Sequence, residues 1–321
     1  ATIKNAFIKG AVEAGADIID CSLASTPAMF MTTVNDDVQA TASVMVTASH
    51  LPYNRNGLKF FTPKGGLDKR DIADILDIAE RGDYAYGGAA GHSATLDFMT
   101  IYSSHIADYI CQGVHADDYE HPLKGMHIVV DAGNGGGGFF ERILSQLGAD
   151  TKGSQFLDPD GRFPNHIPNP ENDEAMASVC RAVADSNADL GVIFDTDVDR
   201  SAIIGRNGEP INRNALIALI ASVILEEHPH STIVTDSVTS DGLTDFISRK
   251  GGRHHRYRRG YKNVINEGIR LNEAGEECWL AIETSGHAAL RENYFLDDGA
   301  YLAAKLIVYA AKLFREGRQV H

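Results

Sequence analysis

"HIVVDAGNGGGGFFERILSQLGA", residues 127–149, is the stretch of this 321-residue chain that decides the fold class. A short apolar run is followed by a glycine-rich turn and then by apolar residues at helical spacing. This order of strand, turn and helix is the repeating unit of α/β domains. The stretch therefore predicts an α/β domain that begins near His121.

Units with the same order of elements occur on both sides of this stretch. We predict helices over 1–14, 69–81, 214–225 and 298–314, and strands within 42–49, within 190–194 and from Ser231. The predicted helix 69–81 has its apolar residues at positions 72, 75, 76 and 78. The sequence thus predicts an α/β fold of three related domains, with mixed sheets and helices packed on them, over 1–120, 121–229 and 230–321.

Composition limits the function classes. A net charge of −15 and a pI near 5.2 disfavour nucleic acid as a partner. No run approaches the ~20 apolar residues of a membrane span. The four cysteines are widely spaced, which suggests core packing in a reducing compartment. We expect a soluble cytoplasmic protein, or one of an organelle stroma, whose oligomeric state the sequence does not indicate.

"FDTDVDR", residues 194–200, follows the buried run 190–194 and places Asp195, Asp197 and Asp199 at alternate positions. Carboxylates at this density need a counter-charge, and their hard oxygens suit Mg²⁺. A solvated acidic turn is the simpler alternative. An EF-hand fits poorly because Arg200 and Arg206 stand where glycine and glutamate are needed. A haloacid-dehalogenase type phosphatase is a better rival, with Asp195 as nucleophile and Asp197 as acid/base.

Two further loops carry polar groups, and one glycine run raises a rival. Residues 133–138 match G-x-G-x-x-G, but with five glycines in six residues we favour a tight turn over a dinucleotide site. "AIETSGHAAL", residues 281–290, offers Glu283, Ser285 and His287 to sugar hydroxyls, or forms a capped turn. The basic stretch "HHRYRRGYKNV", residues 254–264, is either a solvated edge or a balance to bound phosphate.

Four motifs in order, "TASHLPYNRNGLK" (47–59), "DTDVDR" (195–200), "GYK" (260–262) and "ETSGH" (283–287), resemble the α-D-phosphohexomutases. The resemblance covers nearly the whole chain. It implies that Ser49 is the phosphoserine and that Mg²⁺ lies between it and the three aspartates. It also implies Lys59 as a general acid/base, with His50 in the same loop and Arg200 clamping the migrating phosphoryl oxygens.

The implied reaction interconverts hexose 1-phosphate and hexose 6-phosphate, of glucose or mannose, through a hexose 1,6-bisphosphate intermediate. Substrate-binding roles then fall to Lys262, Glu283, Ser285 and His287. A noncatalytic binding or scaffold protein of the same fold is the alternative from another class, and a Mg²⁺-dependent phosphatase ranks lower. Intact Ser49 and three intact aspartates favour the enzyme.

The chain departs from the family pattern at several points. Leu51 replaces the asparagine that usually follows the serine and histidine, and Thr196 and Val198 replace the commoner glycines. Neither change removes a ligand. The N-terminal arginine segment and the fourth domain of the family are not recognised, so we expect poor turnover from residues 1–321 alone.

Overall fold

The computed structural model describes residues 2–84 and 88–318. The chain divides into two compact units, the first formed by Ala1–Ala48 and Asn54–Tyr102 and the second by Ser49–Tyr53 and Ser103–His321. Among residues 2–84 and 88–318, no helix has both the length and the apolar composition that a membrane crossing requires. All four cysteines are free thiols, and three of them are buried, as core packing requires.

The first unit contains two small sheets and the helices that connect them. Its elements are α1 (Thr2–Glu13), β1 (Ile18–Asp20), α2 (Thr26–Met31), β2 (Ser43–Val46), β3 (Leu58–Thr62), β4 (Gly65–Gly66), α3 (Lys69–Arg81) and β5 (Ser93–Thr95). β1 pairs with β5 in parallel, and β2, β3 and β4 form an antiparallel sheet. Ala1, at the start of the first predicted helix, lies outside the described residues.

Helix α3 occupies the range that the sequence predicts. Asp68 and Asp71 form a capping box at its start, and Gly82 ends it in the left-handed conformation. None of the residues of α3 is buried, although its apolar positions follow helical spacing. Local pattern therefore predicted the helix correctly, but not the exposure of its apolar side.

The second unit begins with α4 (Phe98–Val114), whose first turn belongs to the first unit, and continues with two four-stranded mixed sheets. The first of these sheets has the order β6-β7-β8-β9, with β6 and β7 parallel and the remaining pairs antiparallel. Its elements are β6 (Ile128–Asp131), α5 (Gly138–Gln146), α6 (Asp173–Ser186), β7 (Leu190–Phe194), β8 (Ser201–Gly205) and β9 (Pro210–Ile211). Helix α6 packs Val179 and Val183 on Val129 and Ile193 of the sheet, and all four side chains are fully buried.

The second sheet has the order β11-β10-β12-β13, parallel except for β13. Its elements are α7 (Arg213–Glu227), β10 (Thr232–Asp236), α8 (Asp241–Arg249), β11 (Arg253–Tyr257), α9 (Tyr261–Glu273), β12 (Cys278–Ile282), β13 (Ala288–Leu290), a 3-10 turn (Arg291–Asn293) and α10 (Gly299–Arg315). Mixed sheets with helices packed on them confirm the predicted α/β class.

The basic stretch begins in the edge strand β11 and continues through a short loop into α9. Arg256 donates to Asp241 at 2.6 Å, and Arg253 pairs with Glu276. Arg258 lies over the ring of Tyr257. Charged residues on an edge strand also discourage pairing with another chain. Much of this positive charge is therefore balanced locally.

The glycine run 133–138 forms the tight turn between β6 and α5. Gly133 has a φ of 53°, and a Cβ on Gly135 would lie 2.6 Å from the carbonyl oxygen of Thr196. The amide of Gly136 donates to that same carbonyl at 2.8 Å. The glycines are needed for close approach to the backbone that follows β7. The tight-turn prediction is confirmed.

A buried lysine joins four elements of the second unit. Lys305 of α10 is 2% exposed, and its Nζ donates to Glu227 and Glu292 at 2.7 Å and to the hydroxyl of Tyr109 at 3.2 Å. Burial alone would lower the pKa of Lys305, but Tyr109 and the two carboxylates raise it above its usual value. The lysine is therefore charged, and it ties α4, α7 and the turn at 291–293 to α10.

We predict that Lys305→Met lowers the free energy of unfolding by about 3 kcal/mol, because two glutamates then lose their shared cation. Thermal unfolding followed by the fluorescence of Trp279, the single tryptophan of the chain, measures the change. Lys312→Met, on the exposed side of the same helix, is the matched control. Equal midpoints for the two variants would contradict a stabilising role for the Lys305 network.

Candidate functional site

The loop after β7 holds three buried carboxylates. Asp195, Asp197 and Asp199 are 0%, 2% and 1% exposed, and each offers an oxygen within 4.8 Å of the others. Val198 adopts a φ of 68°, a conformation uncommon for a β-branched residue. The loop therefore accepts backbone strain to turn alternate side chains towards one point.

Arg200 supplies a cation to this cluster. Its Nε and Nη2 both lie 3.1 Å from Oδ2 of Asp195, and its backbone amide donates to Oδ1 of the same carboxylate at 3.2 Å. Its Nε lies 3.9 Å from Asp199. The guanidinium is 3% exposed, so it acts in a medium of low polarity.

The charges of the loop fit a divalent cation. Burial raises the pKa of Asp195 well above its usual range, and the charges of Asp199 and Asp197 raise it further. Arg200 carries one positive charge against three carboxylates that together ionise only at a high electrostatic cost. Three hard oxygen donors around one point are the kind of set that binds a divalent metal ion.

The predicted phosphoserine lies beside this loop. Ser49 adopts a φ of 52°, and the segment Ser49–Tyr53 belongs to the second unit although its flanking residues belong to the first. The Oγ of Ser49 lies 3.2 Å from Nδ1 of His50, and that nitrogen accepts a hydrogen bond from Nη2 of Arg200 at 2.7 Å. Because Arg200 also holds Asp195, one guanidinium links Ser49–His50 to the carboxylate loop.

The imidazole of His50 is neutral in this arrangement. Burial lowers its pKa, and the positive charge of Arg200 lowers it further. Its Nδ1 lone pair faces both the Arg200 guanidinium and the hydroxyl of Ser49. The hydroxyl of Ser49 can therefore donate a hydrogen bond to Nδ1 of His50, and this hydrogen bond orients the oxygen of Ser49.

Lys59 belongs to the first unit. It is half-buried in β3, where it pairs with Met45 of β2. Its role as a general acid/base remains a prediction from its place in the 47–59 motif.

The turn between β12 and β13 contains the predicted sugar-binding residues. Glu283 is 5% exposed, its Oε1 accepts from the amide of Gly260 at 2.6 Å, and Ser285 donates to its Oε2 at 3.4 Å. Burial raises the pKa of Glu283, while the hydrogen bond from Gly260 opposes this. Lys262 follows Gly260 in the first turn of α9, so the "GYK" and "ETSGH" motifs meet at this hydrogen bond.

His287 connects the 283–287 turn to the carboxylate loop. Its Nδ1 lies 2.7 Å from Asp297 and 3.9 Å from Asp199. Burial alone lowers the pKa of His287, but Asp297 and Asp199 outweigh it and raise the pKa above its usual value. Its backbone forms an antiparallel bridge with Arg200, and its ring stacks on Tyr261 at 4.8 Å. The two loops therefore form one continuous site.

Several residues of this site have no motif in the sequence. Asn169 accepts from Nη1 of Arg200 at 3.2 Å, Asp297 holds His287, and Asp236 accepts from both the amide and the hydroxyl of Thr284. Asp236 ends a buried strand, which was the one available signal for it. Asn169 lies in an irregular segment, and nothing in its neighbours in sequence indicates Arg200 as its partner.

Three family models match the chain in order. They are the α/β/α domains I, II and III of phosphoglucomutase/phosphomannomutase, over residues 1–85, 102–208 and 212–320. The chain belongs to the phosphoglucomutase/phosphomannomutase family. Domain boundaries at 120/121 and 229/230 stay predictions, and the site lies among residues of domains II and III and the Ser49–Tyr53 segment of domain I.

Curated relatives and a solved structure agree with this assignment. A phosphomannomutase/phosphoglucomutase of Pseudomonas aeruginosa is 30% identical over 316 residues, 98% of this chain and 64% of the relative. A phosphoglucomutase of Neisseria meningitidis is 28% identical over 301 residues, 93% of this chain and 62% of the relative. A crystal structure of a family member from Burkholderia thailandensis, 26% identical, superposes with a TM-score of 0.82 over 96% of this chain and 65% of its own. The chain thus spans a little less than two thirds of these proteins.

Membership of this family and the contacts of the carboxylate loop disfavour both the phosphatase and the dinucleotide-site interpretations. A phosphatase of the haloacid-dehalogenase type would need Asp195 as a free nucleophile, but both of its oxygens accept hydrogen bonds from Arg200. The glycine run packs on the carboxylate loop at Thr196, so its glycines have a packing role. The phosphohexomutase interpretation uses all of these contacts.

We predict that Gly286→Ala lowers the free energy of unfolding by about 2–3 kcal/mol. Gly286 has a φ of 96°, and an added Cβ would lie 2.8 Å from the carbonyl oxygen of Ser201. Gly161→Ala, at a position with no atom within 4 Å of the added Cβ, is the control. Calorimetry of both variants measures the loss. Similar unfolding midpoints for the two variants would mean that the 283–287 turn can shift away from β8 at little cost in free energy.

Proposed function

We propose that the protein is a phosphohexomutase that interconverts hexose 1-phosphate and hexose 6-phosphate of glucose or mannose through phospho-Ser49. The observation that carries the proposal is the double use of Arg200, which contacts His50 of the serine segment at 2.7 Å and bridges to His287 of the sugar-binding turn. Arg200 therefore links the proposed phosphoryl donor, through its guanidinium, to the proposed sugar-binding loop, through its backbone.

The first transfer needs a phosphoryl acceptor held in line with Ser49. The bond between phosphorus and Oγ of Ser49 breaks, and a bond forms to the free hydroxyl oxygen of hexose 1-phosphate, which gives the 1,6-bisphosphate. The hydroxyl proton goes to a base, for which Lys59 is the candidate. Arg200, always charged and held by Asp195, His50 and Asn169, would offset negative charge on the phosphoryl group during the transfer.

The second transfer reverses these steps after the bisphosphate has turned around. Glu283 and Ser285 would accept from and donate to sugar hydroxyls, with Lys262 and His287 contributing positive charge beside them. The other phosphoryl group moves to Ser49, and hexose 6-phosphate leaves. His50 would orient the oxygen of Ser49 through the contact between that oxygen and Nδ1 of the imidazole.

Asp195, Asp197 and Asp199 would hold Mg²⁺ together with a phosphoryl oxygen of Ser49. When bound, the ion offsets negative charge on the phosphoryl group and on the Ser49 oxygen as it leaves. The donor set supports this assignment because three buried carboxylate oxygens lie within 4.8 Å of one another.

We expect Ser49 to accept a phosphoryl group from glucose 1,6-bisphosphate or mannose 1,6-bisphosphate in the presence of Mg²⁺. Intact-protein and peptide mass spectrometry measure the modification, and Ser49→Ala abolishes it. Ser248→Ala, which removes an exposed serine of α8, is the matched control and keeps the modification. This half-reaction needs only one transfer, so it tests Ser49 even if complete turnover by these residues is slow.

Failure of both bisphosphates to modify Ser49 would refute the enzyme proposal and favour the noncatalytic binding protein. Release of inorganic phosphate that survives in Ser49→Ala would instead favour the phosphatase. Turnover of glucose 1-phosphate against mannose 1-phosphate then decides the sugar preference.

We predict that Asp197→Asn weakens Mg²⁺ binding by about tenfold or more, because the site loses one full charge from a small set of ligands. Isothermal titration calorimetry of the unphosphorylated protein measures the Mg²⁺ affinity and does not depend on enzymatic activity. Asp185→Asn removes the same charge from the exposed face of α6 and serves as the control. Equal Mg²⁺ affinity in the two variants would mean that the 195–199 loop is an acidic turn only.

A further inference from the structure

We infer that Asn169 is a positioning residue for Arg200 and that the buried pair of His166 with Asp131 holds Asn169 in place. The inference rests on the proposed function for its catalytic consequence. The contacts that carry it lie outside the four sequence motifs. They concern the irregular segment between α5 and α6.

The first contact is a buried carboxylate and imidazole pair. Nε2 of His166 lies 3.1 Å from both oxygens of Asp131, and Nδ1 lies 3.0 Å from the carbonyl oxygen of Ile167. The two side chains are 1% and 0% exposed. Both ring nitrogens face acceptors, so both carry protons and the imidazole is a cation. Asp131 is the last residue of β6, and the pair therefore fixes the part of the segment around His166 to the sheet.

The pair is itself held from several sides. Asp131 also accepts from the amide of Gly133 at 2.8 Å and from Nε2 of Gln155 at 2.7 Å. The ring of His166 packs edge-on against Phe156 at 5.3 Å. A charged pair with satisfied partners and no solvent has a narrow choice of geometries.

The second contact is made three residues further along the chain. The side-chain oxygen of Asn169 accepts from Nη1 of Arg200 at 3.2 Å and from the amide of Glu171 at 3.0 Å. The other nitrogens of the guanidinium face Asp195 and His50. Asn169 therefore accepts from the edge of the guanidinium that neither Asp195 nor His50 engages, and the carboxylate of Glu171 lies 3.8 Å from the same Nη1.

This third partner determines the rotation of the guanidinium plane. Asp195 alone allows the fork to tilt about its Nε–Oδ2 axis, which would move Nη2 away from His50. A hydrogen bond on Nη1 removes that freedom. Positioning of this kind changes the rate of a transfer more than it changes the affinity for substrate, because the transition state depends on alignment.

The test measures the guanidinium directly. Protein labelled with ¹⁵N on arginine is compared as wild type, Asn169→Ala, Asn169→Asp and Asn165→Ala, with Arg200→Lys to assign the signals. Asn165 lies in the same segment but donates to Asn134, so its variant is the matched control. We expect separate, slowly exchanging Nη signals for Arg200 in wild type, in Asn165→Ala and in Asn169→Asp, which keeps an acceptor oxygen. We expect them to merge in Asn169→Ala.

The kinetic expectation follows. Asn169→Ala lowers kcat by about tenfold, with KM within about twofold and an unchanged unfolding midpoint. Asn169→Asp restores most of kcat. Unchanged Arg200 signals in Asn169→Ala would overturn the inference, and so would a fall in the unfolding midpoint that accounts for the loss. If wild type itself shows no phosphorylation of Ser49 by either bisphosphate, the proposed function fails while the Arg200 signals still decide the inference.

The role of His166 is tested in a double-mutant cycle. We expect His166→Gln to increase the exchange between the Nη signals of Arg200 when Asn169 is present. In the Asn169→Ala background it should have no further effect on these signals. Asp131→Asn, which keeps the shape and removes the charge, is the second variant if His166→Gln does not fold. An effect of either variant that persists without Asn169 would show that the pair does not act through it.

Discussion

The site depends on the balance between three buried carboxylates and one buried guanidinium. Asp195, Asp197 and Asp199 repel one another in a medium that solvates charge poorly, and Arg200 offsets only part of this repulsion. The arrangement stores electrostatic free energy that a divalent cation bound there would release. Metal binding at this loop would therefore be favourable. The elements packed around the loop must hold the three carboxylates together against their mutual repulsion.

Backbone packing supplies that support. The carbonyl oxygen of Thr196 accepts from Gly136, and Gly135 has no side chain to push it away. On the other side, Gly299 lies so close that an added Cβ would be 2.6 Å from the carbonyl carbon of Arg200. Its amide donates to Val198 at 3.0 Å. Glycines of the turn before α5 and of the first turn of α10 thus pack against one loop, because only glycine permits such close approach.

Arg200 then transmits the order of this loop to the rest of the site. It contacts the serine segment at His50, bridges to His287, and meets Asn169. Lysine in its place would keep the charge but lose the planar guanidinium, which reaches Asp195, His50 and Asn169 at fixed angles. Arg200 therefore matters for both stability and the proposed function, because its contacts offset the charge of the carboxylates and also align the loops.

Sequence alone was enough for the fold class and for the residues that follow buried strands. The apolar runs at 128–131, 190–194 and 232–236 are bounded by polar or glycine-rich turns, and such patterns are local. Asp195, Asp197 and Asp199 could be recognised because they lie in the loop that follows the run 190–194, and Glu283 because it comes directly after the run 278–282. The tertiary structure alone decided the partners: Asn169 and His50 on Arg200, Asp297 on His287, and Glu227 and Glu292 on Lys305. These partners are separated along the chain by 10 to 150 residues, and only packing of the elements brings them together.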